Sequence, residues 1–265
     1  MITTLLVYVA CGLVAGILAG LLGVGGGIVI VPMLVFVFSW QGMPAELVQI
    51  MALGTSLATI VITSVASFRA HDKRGAVRWD IWRSITPGIL IGTFGGGFLA
   101  NAMPVNFLRG FFVCFVYYVS IQMFLDFKPK AGRELPGQLG MNGVGGAIGV
   151  ISSLVGIGGG TLSVPFMSYC NVPMHTAVGT SAAIGFPIAV AGTLSYIWNG
   201  LSAPNLPPYS LGYVSLMALA GIAAASYFTA PLGAKLAHSL PVSKLKRFFA
   251  VLLFCIGTRM LWTIL

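Results

Sequence analysis

Apolar stretches of helical length alternate with short polar ones along the whole chain, at 4–38, 46–68, 81–102, 105–125, 142–169, 177–198, 212–232 and 248–265. A helix needs about 20 apolar residues to cross the hydrocarbon of a bilayer. The pattern therefore predicts an all-α polytopic membrane protein with eight helical segments. The polar stretch 128–140, with Pro129, Gly132, Pro136 and Gly137, divides them four and four and has the composition of a linker. The reading is an N-terminal repeat over 1–127, a cytoplasmic linker over 128–140 and a C-terminal repeat over 141–265.

The word repeat is justified residue by residue. At a spacing of 133, Gly12, Gly16, Leu21, Gly23, Gly25, Gly26, Gly27, Val31 and Pro32 meet Gly145, Gly149, Leu154, Gly156, Gly158, Gly159, Gly160, Val164 and Pro165. At 125, Gly54-Thr55-Ser56 meets Gly179-Thr180-Ser181 and Gly75 meets Gly200. At 137, Pro104-Val105 and Phe111-Phe112 meet Pro241-Val242 and Phe248-Phe249. The correspondence runs through both halves.

Loop charge sets the orientation of the halves. Arg69, Lys73, Arg74, Arg78 and Arg83 surround the loop after the second segment, whereas its counterpart, 199–211, is uncharged. One segment later the bias reverses: 101–104 is uncharged, and its counterpart carries Lys235, Lys244, Lys246 and Arg247. Basic loops stay in the cytoplasm, so the two halves are inverted repeats. Inversion requires an odd number of crossings per half, and four segments give an even number. The first segment of each half, broken at Gly-x-Gly-Gly-Gly, is the candidate for a re-entrant hairpin that does not cross. That arrangement keeps Lys128, Lys130 and Arg133 of the linker in the cytoplasm and puts both termini outside. Eight simple crossings would instead export the Lys244–Arg247 cluster.

Composition agrees with full immersion: 57% of residues are hydrophobic and 7% charged, where a soluble domain has roughly 25% charged. The stretch 5–22 lacks the basic start and cleavage site of a signal peptide and reads as mature protein. The formal charge of +9 sits in loops as topology signals and does not point to nucleic acid. Cys11, Cys114, Cys170 and Cys255 lack paired spacing and read as small apolar residues, with neither disulfides nor a metal site expected.

Chemistry concentrates at the breaks. Three successive glycines oppose helix, each by about 1 kcal/mol relative to alanine. Pro32 and Pro165 suit the first turn of a helix, so the returning limbs are expected to start between Val29 and Pro32, and between Leu162 and Pro165. A helix N-terminus then faces each break, presenting free N–H groups and partial positive charge to an anion without a buried lysine or arginine. Unpaired backbone persists in a membrane only where protein, water or ligand supplies partners, so the breaks should line a polar cavity. The candidate substrate-binding residues are Gly25, Gly26, Gly27, Gly158, Gly159 and Gly160, together with Gly54, Thr55, Ser56, Gly179, Thr180 and Ser181. Close helix packing is the competing reading of the triplets, and it is the preferred reading of Gly92 and Gly95–Gly97.

Ionisable residues are scarce. Arg259, whose repeat counterpart is Gln122, reads as reaching the outer interface, and Glu46 and His175 as solvated segment ends. Tyr117, Tyr118, Tyr196 and Trp198 read as packing or interface anchors. No nucleotide-binding loop, zinc-protease motif or intramembrane carboxylate pair is present. An enzyme, a cofactor and ATP-driven transport are disfavoured.

With these residues in hand, the chain resembles the sulfite exporter TauE/SafE family of membrane permeases. The resemblance covers nearly the whole chain and is carried by the paired signatures Leu22-Gly23-Val24-Gly25-Gly26-Gly27 to Pro32 and Val155-Gly156-Ile157-Gly158-Gly159-Gly160 to Pro165. Ala177-Val178-Gly179-Thr180-Ser181 and Leu232-Gly233-Ala234-Lys235-Leu236-Ala237 add to it. It implies a permease of the bacterial plasma membrane moving sulfite, organosulfonates or related sulfur-containing anions, usually outward. The expected function is secondary transport of a small anion by alternating access between the halves, with a proton as the candidate coupling ion. A membrane scaffold that transports nothing, an anion channel, and a transporter of a non-sulfur, neutral or cationic solute remain open alternatives.

Overall fold

The computed structural model describes residues 2–22, 26–125, 132–239 and 242–262. Ten helices account for most of them: α1 (Ile2–Leu22), α2 (Gly27–Trp40), α3 (Ala45–Asp72), α4 (Trp79–Ala102), α5 (Val105–Phe124), α6 (Gln138–Val155), α7 (Gly160–Tyr169), α8 (Met174–Gly200), α9 (Leu216–Ser239) and α10 (Val242–Trp262). Five of these, α3, α4, α5, α6 and α8, are long and apolar enough to cross a membrane. The chain is an all-α polytopic membrane protein. The ten helices are the eight predicted segments with the first of each half divided at its glycine run.

Helix ends depart from the apolar pattern where polar chemistry takes over. α3 continues past Phe68 to Asp72, with Arg69 and His71 in its last turn, where the Arg69 cation opposes the negative end of the helix dipole. The apolar pattern starts a helix at Gly212, but α9 starts at Leu216. Before it, β1 (Ser210–Leu211) and β2 (Val214–Ser215) form a small antiparallel hairpin whose turn includes Gly212 at φ 54°. The hairpin folds back on the end of α8, where a Cβ on Gly200 would stand 2.6 Å from the Gly212 carbonyl carbon. α6 begins at Gln138, inside the stretch read as linker, and residues 128–131 of that stretch lie outside the described residues.

Helix pairing repeats when the halves are exchanged. α1 packs along α9 as α6 packs along α4; α2 lies on α3 as α7 lies on α8; α3 pairs with α8 and α5 with α10. Helices in lipid gain nothing from hydrophobic exclusion of water between them, so close van der Waals approach must hold them. Glycine supplies it at equivalent positions. A Cβ on Gly12 would come within 2.7 Å of the Ile222 carbonyl oxygen on α9, and one on Gly145 within 2.5 Å of the Ile85 carbonyl oxygen on α4. Gly92, Gly96 and Gly97 also serve close packing, against Gly146, Ser153 and Ser195, whereas Gly95 meets nothing within 4 Å.

Each divided segment is a hairpin. The Tyr8 hydroxyl near the start of α1 donates to Gln41 Oε1 just past the end of α2, at 3.0 Å. In the other half, Gly132 N–H, ahead of α6, donates to the carbonyl of Tyr169, the last residue of α7, at 3.2 Å. Asn171 Nδ2 donates to the Arg133 carbonyl at 3.2 Å. In both halves the far parts of the two limbs thus lie close together.

Candidate anion site at the paired glycine breaks

The breaks are built alike. Gly26 precedes α2 with φ 72° and Gly159 precedes α7 with φ 74°, left-handed values that L residues with a Cβ avoid. Val29 and Ile30 N–H both donate to Gly26 O, each at 3.0 Å, as Leu162 and Ser163 N–H donate to Gly159 O at 3.0 and 2.8 Å. The helices therefore start at Gly27 and Gly160, about a turn before the proline-based expectation. The left-handed glycines redirect the chain, so proline is not needed to begin the helix, and Pro32 and Pro165 lie inside it. No side chain caps either N-terminus. The first N–H groups of a helix have no intrahelical partner, so donors from Gly27 and Gly160 onward face the breaks.

The two breaks meet. A Cβ on Gly27 would lie 2.5 Å from Gly156 O and 2.9 Å from Ile157 Cα. Gly26, Gly27 and residues 156–160 are all buried; Gly25, of the candidate set, lies outside the described residues. The Ser56 hydroxyl joins them by donating to Gly156 O at 2.8 Å. Ser181 Oγ lies 2.8 Å from Ser163 Oγ, and Ser163 Oγ lies 3.0 Å from Gly159 O. The serines of both triplets thus reach the second break.

The other members of the triplets point elsewhere. Gly54 packs against the Tyr213 carbonyl and Tyr196 Cβ, and Gly179 against Ala76. Thr55 Oγ1 accepts from Ser215 N–H at 3.0 Å, just ahead of α9, and Thr180 Oγ1 accepts from Arg78 N–H at 2.9 Å, just ahead of α4. Each threonine caps the start of a helix in the opposite half, a role that spacing along the chain does not reveal. The Arg78 side chain, in turn, pairs with Asp80.

Aliphatic side chains close the space in front of the breaks where the sequence predicts a polar cavity. Ile60 Cγ2 stands 3.3 Å from a Cβ position on Gly158, Ile148 Cγ2 3.5 Å from one on Gly159, and Leu53 and Val31 cover Gly156. Within this apolar wall, Ser152 Oγ is fully buried and has no hydrogen-bond partner among the described residues. It lies 3.5 Å from the Cβ position of Gly159. Thr161 Oγ1, one residue into α7, is likewise buried and unpaired. Buried polar atoms are rarely left so. Neither residue stands out in the repeat, because their counterparts are Ala19 and Ile28; the available signal was a lone hydroxyl beside the break.

One turn outward along α3 from Leu53, the fully buried Gln49 has neither amide atom paired among the described residues. It borders a pocket of about 240 Å³ with Glu46, Asn101, Asn205 and Tyr213. Tyr213 OH donates to Asn101 Oδ1 at 2.9 Å. His175 is exposed, with Nε2 3.1 Å from Thr176 Oγ1. Tyr196 is buried and donates to the Ser153 carbonyl at 2.9 Å, a packing role as expected, whereas Tyr118 and Trp198 are exposed. Of the cysteines read from the sequence as small, buried apolar residues, Cys170 is buried, whereas Cys114 and Cys255 are exposed on outward faces of α5 and α10. Among the described residues no cluster suits a metal ion.

Several proteins are similar to this chain over nearly its whole length. A "probable membrane transporter protein" of Haemophilus influenzae is 39% identical over 98% of this chain and 99% of its own length. Proteins of the same description from Methanocaldococcus jannaschii, 29% identical over 94% of this chain and 92% of their counterpart, and from Bacillus subtilis (YunE), 25% identical over 97% of each, extend the likeness to distant organisms. No solved structure matches. With residues 8–260, and so both glycine breaks, matching its description, the chain belongs to the sulfite exporter TauE/SafE family.

Proposed function

We propose that this membrane protein is a secondary transporter of a small anion, namely sulfite, an organosulfonate or a related sulfur-containing anion, working by alternating access between two inverted halves. The observation that carries the reading is the meeting of the two buried breaks, where the uncapped start of α2 at Gly27 touches Gly156, four residues ahead of the uncapped start of α7 at Gly160. Each helix start would offer N–H donors and a positive dipole end to the joined breaks, as in transporters whose broken helices meet near the membrane midplane. The anion would be held by N–H groups of Gly25–Gly27 and Gly158–Gly160 and by the hydroxyls of Ser56, Ser181, Ser152 and Thr161. The family and the names of the relatives favour transport over a scaffold.

The hairpins support inversion. If each hairpin returns to its starting side, three helices per half remain to cross, an odd number. The basic α3–α4 loop, the linker and the α9–α10 junction then face the cytoplasm of a bacterial inner membrane, and both termini face outside. Gln49 and its pocket mark the outer approach to the break. Rocking of one half against the other would withdraw Ile60 and Ile148 and admit the anion. Thr55 and Thr180 would hold α9 and α4 at opposite ends of the path, and Gly54 and Gly179 would let those helix starts approach. The test is flux of radiolabelled sulfite and sulfonates into proteoliposomes, with and without a proton gradient. Saturable flux abolished by Gly26→Leu and by Gly159→Leu in folded protein is expected; an unchanged rate would remove the breaks from the mechanism.

A further inference from the structure

α5 and α10 pack together and bring one arginine each to a groove beside the first hairpin. The groove encloses about 730 Å³ between α1, α2, the start of α3, α5 and α10. It follows α2 from Pro32 to Ser39, a run of roughly 10 Å at the rise of an α-helix. Its walls are mainly apolar, with Cys11, Met33, Val35, Phe36 and Ile256 among them. Toward the Ser39 end stand the two cations. Arg109 Nη2 donates to the Ala45 carbonyl at 2.6 Å, and the Arg259 guanidinium lies 4.5 Å from the centre of the Phe36 ring.

A carbonyl and a ring orient these guanidinium groups without neutralising them, and among the described residues no carboxylate lines the groove. Each guanidinium carries five N–H donors in a planar fork suited to phosphate. Charge at one end and an apolar channel toward Pro32 at the other match an amphiphile. The volume lies in the range of pockets for ligands far larger than an inorganic oxyanion. The repeat counterparts of Arg109 and Arg259 are Lys246 and Gln122, so the arginine pair, one from each half, is not itself duplicated. We propose that this groove binds an anionic phospholipid, its phosphate between Arg109 and Arg259 and an acyl chain along α2 toward Pro32.

The experiment is native mass spectrometry of the purified chain in neutral detergent, offered phosphatidylglycerol or phosphatidylcholine of identical chains. Preferential retention of phosphatidylglycerol by roughly tenfold or more is expected, since each basic side chain near a headgroup contributes independently. The Arg109→Gln/Arg259→Gln double variant should erase the preference while keeping the lipid-free Tm. Equal retention of the two lipids by the unaltered protein overturns the proposal. So does displacement of lysophosphatidylglycerol by equimolar inorganic phosphate or sulfite, which would make the groove a small-anion site. Should the double variant not fold, a phosphatidylglycerol with a photoactivatable acyl chain decides on the unaltered protein. Cross-links at 7–11, 32–37 or 256–260 support the assignment, and cross-links confined elsewhere refute it.

Discussion

Gly12 and Gly145 seat α1 on α9 and α6 on α4; Gly26 and Gly159 turn the chain at the same left-handed angle; Thr55 and Thr180 cap α9 and α4 across the interface. At these positions the halves are interchangeable. At others they part: Ser152 and Thr161 have Ala19 and Ile28 as counterparts, Gln49 has Met174, and Arg259 has Gln122. Positions that shape backbone are kept in duplicate because both breaks impose the same geometry. On the proposed reading, positions that donate hydrogen bonds to a guest need occur only once, since one anion would face both halves.

If the breaks are equivalent, disrupting either should be equally harmful. Leucine at Gly26 or Gly159 forces a left-handed conformation costing about 1–2 kcal/mol, and at Gly159 it also drives a side chain into Ile188. Flux in proteoliposomes should fall about 100-fold or more in both variants, the equivalent of ~2.7 kcal/mol in binding. A loss confined to one variant would break the equivalence. The crossings come next. Gly12→Leu and Gly145→Leu each insert bulk where backbone lies within van der Waals contact, and each should cost about 1–3 kcal/mol, read as matching drops in Tm.

The threonine caps sharpen the comparison because equivalent losses should have opposite consequences. Thr55→Val and Thr180→Val should each lose about 0.5–2 kcal/mol in thermal stability. Thr55→Val frees the start of α9 and Thr180→Val the start of α4, so labelling of single cysteines near residues 76 and 213 should increase at 213 in the first variant and at 76 in the second. Increases on the same side in both would show that the caps are not at opposite gates. The smallest effect tests the divergence. Ser152→Ala removes an unpaired hydroxyl, so Tm should hold or rise while anion affinity falls roughly tenfold, ~1.4 kcal/mol. Ala19→Ser should leave affinity unchanged. Weakened folding in Ser152→Ala with unaltered affinity would return Ser152 to a packing role.

Of the candidate site, the glycine runs were legible in the chain because repetition and helix-breaking coincide there. The triplets were only half legible. Ser56 and Ser181 reach the second break, yet Thr55 and Thr180 are turned away by hydrogen bonds to residues 160 and 102 positions distant. Ser152, Thr161 and Gln49 could not be selected, because an isolated hydroxyl or amide in an apolar segment gains its meaning from lacking a partner, and partners are known only after folding. Arg109 carries no signal in the sequence; only the fold brings it to the groove that Arg259 also lines.

By itself the sequence determined that the chain lives in a membrane, how many helical segments it has and where two of them break, since hydrocarbon thickness and glycine's cost in a helix act locally. Tertiary structure alone decided that the breaks touch each other, that isoleucines seal them and that the threonines cap helices of the opposite half. Those outcomes depend on which surfaces meet once side chains compete for the same space and hydrogen-bond partners, a competition among residues of different helices.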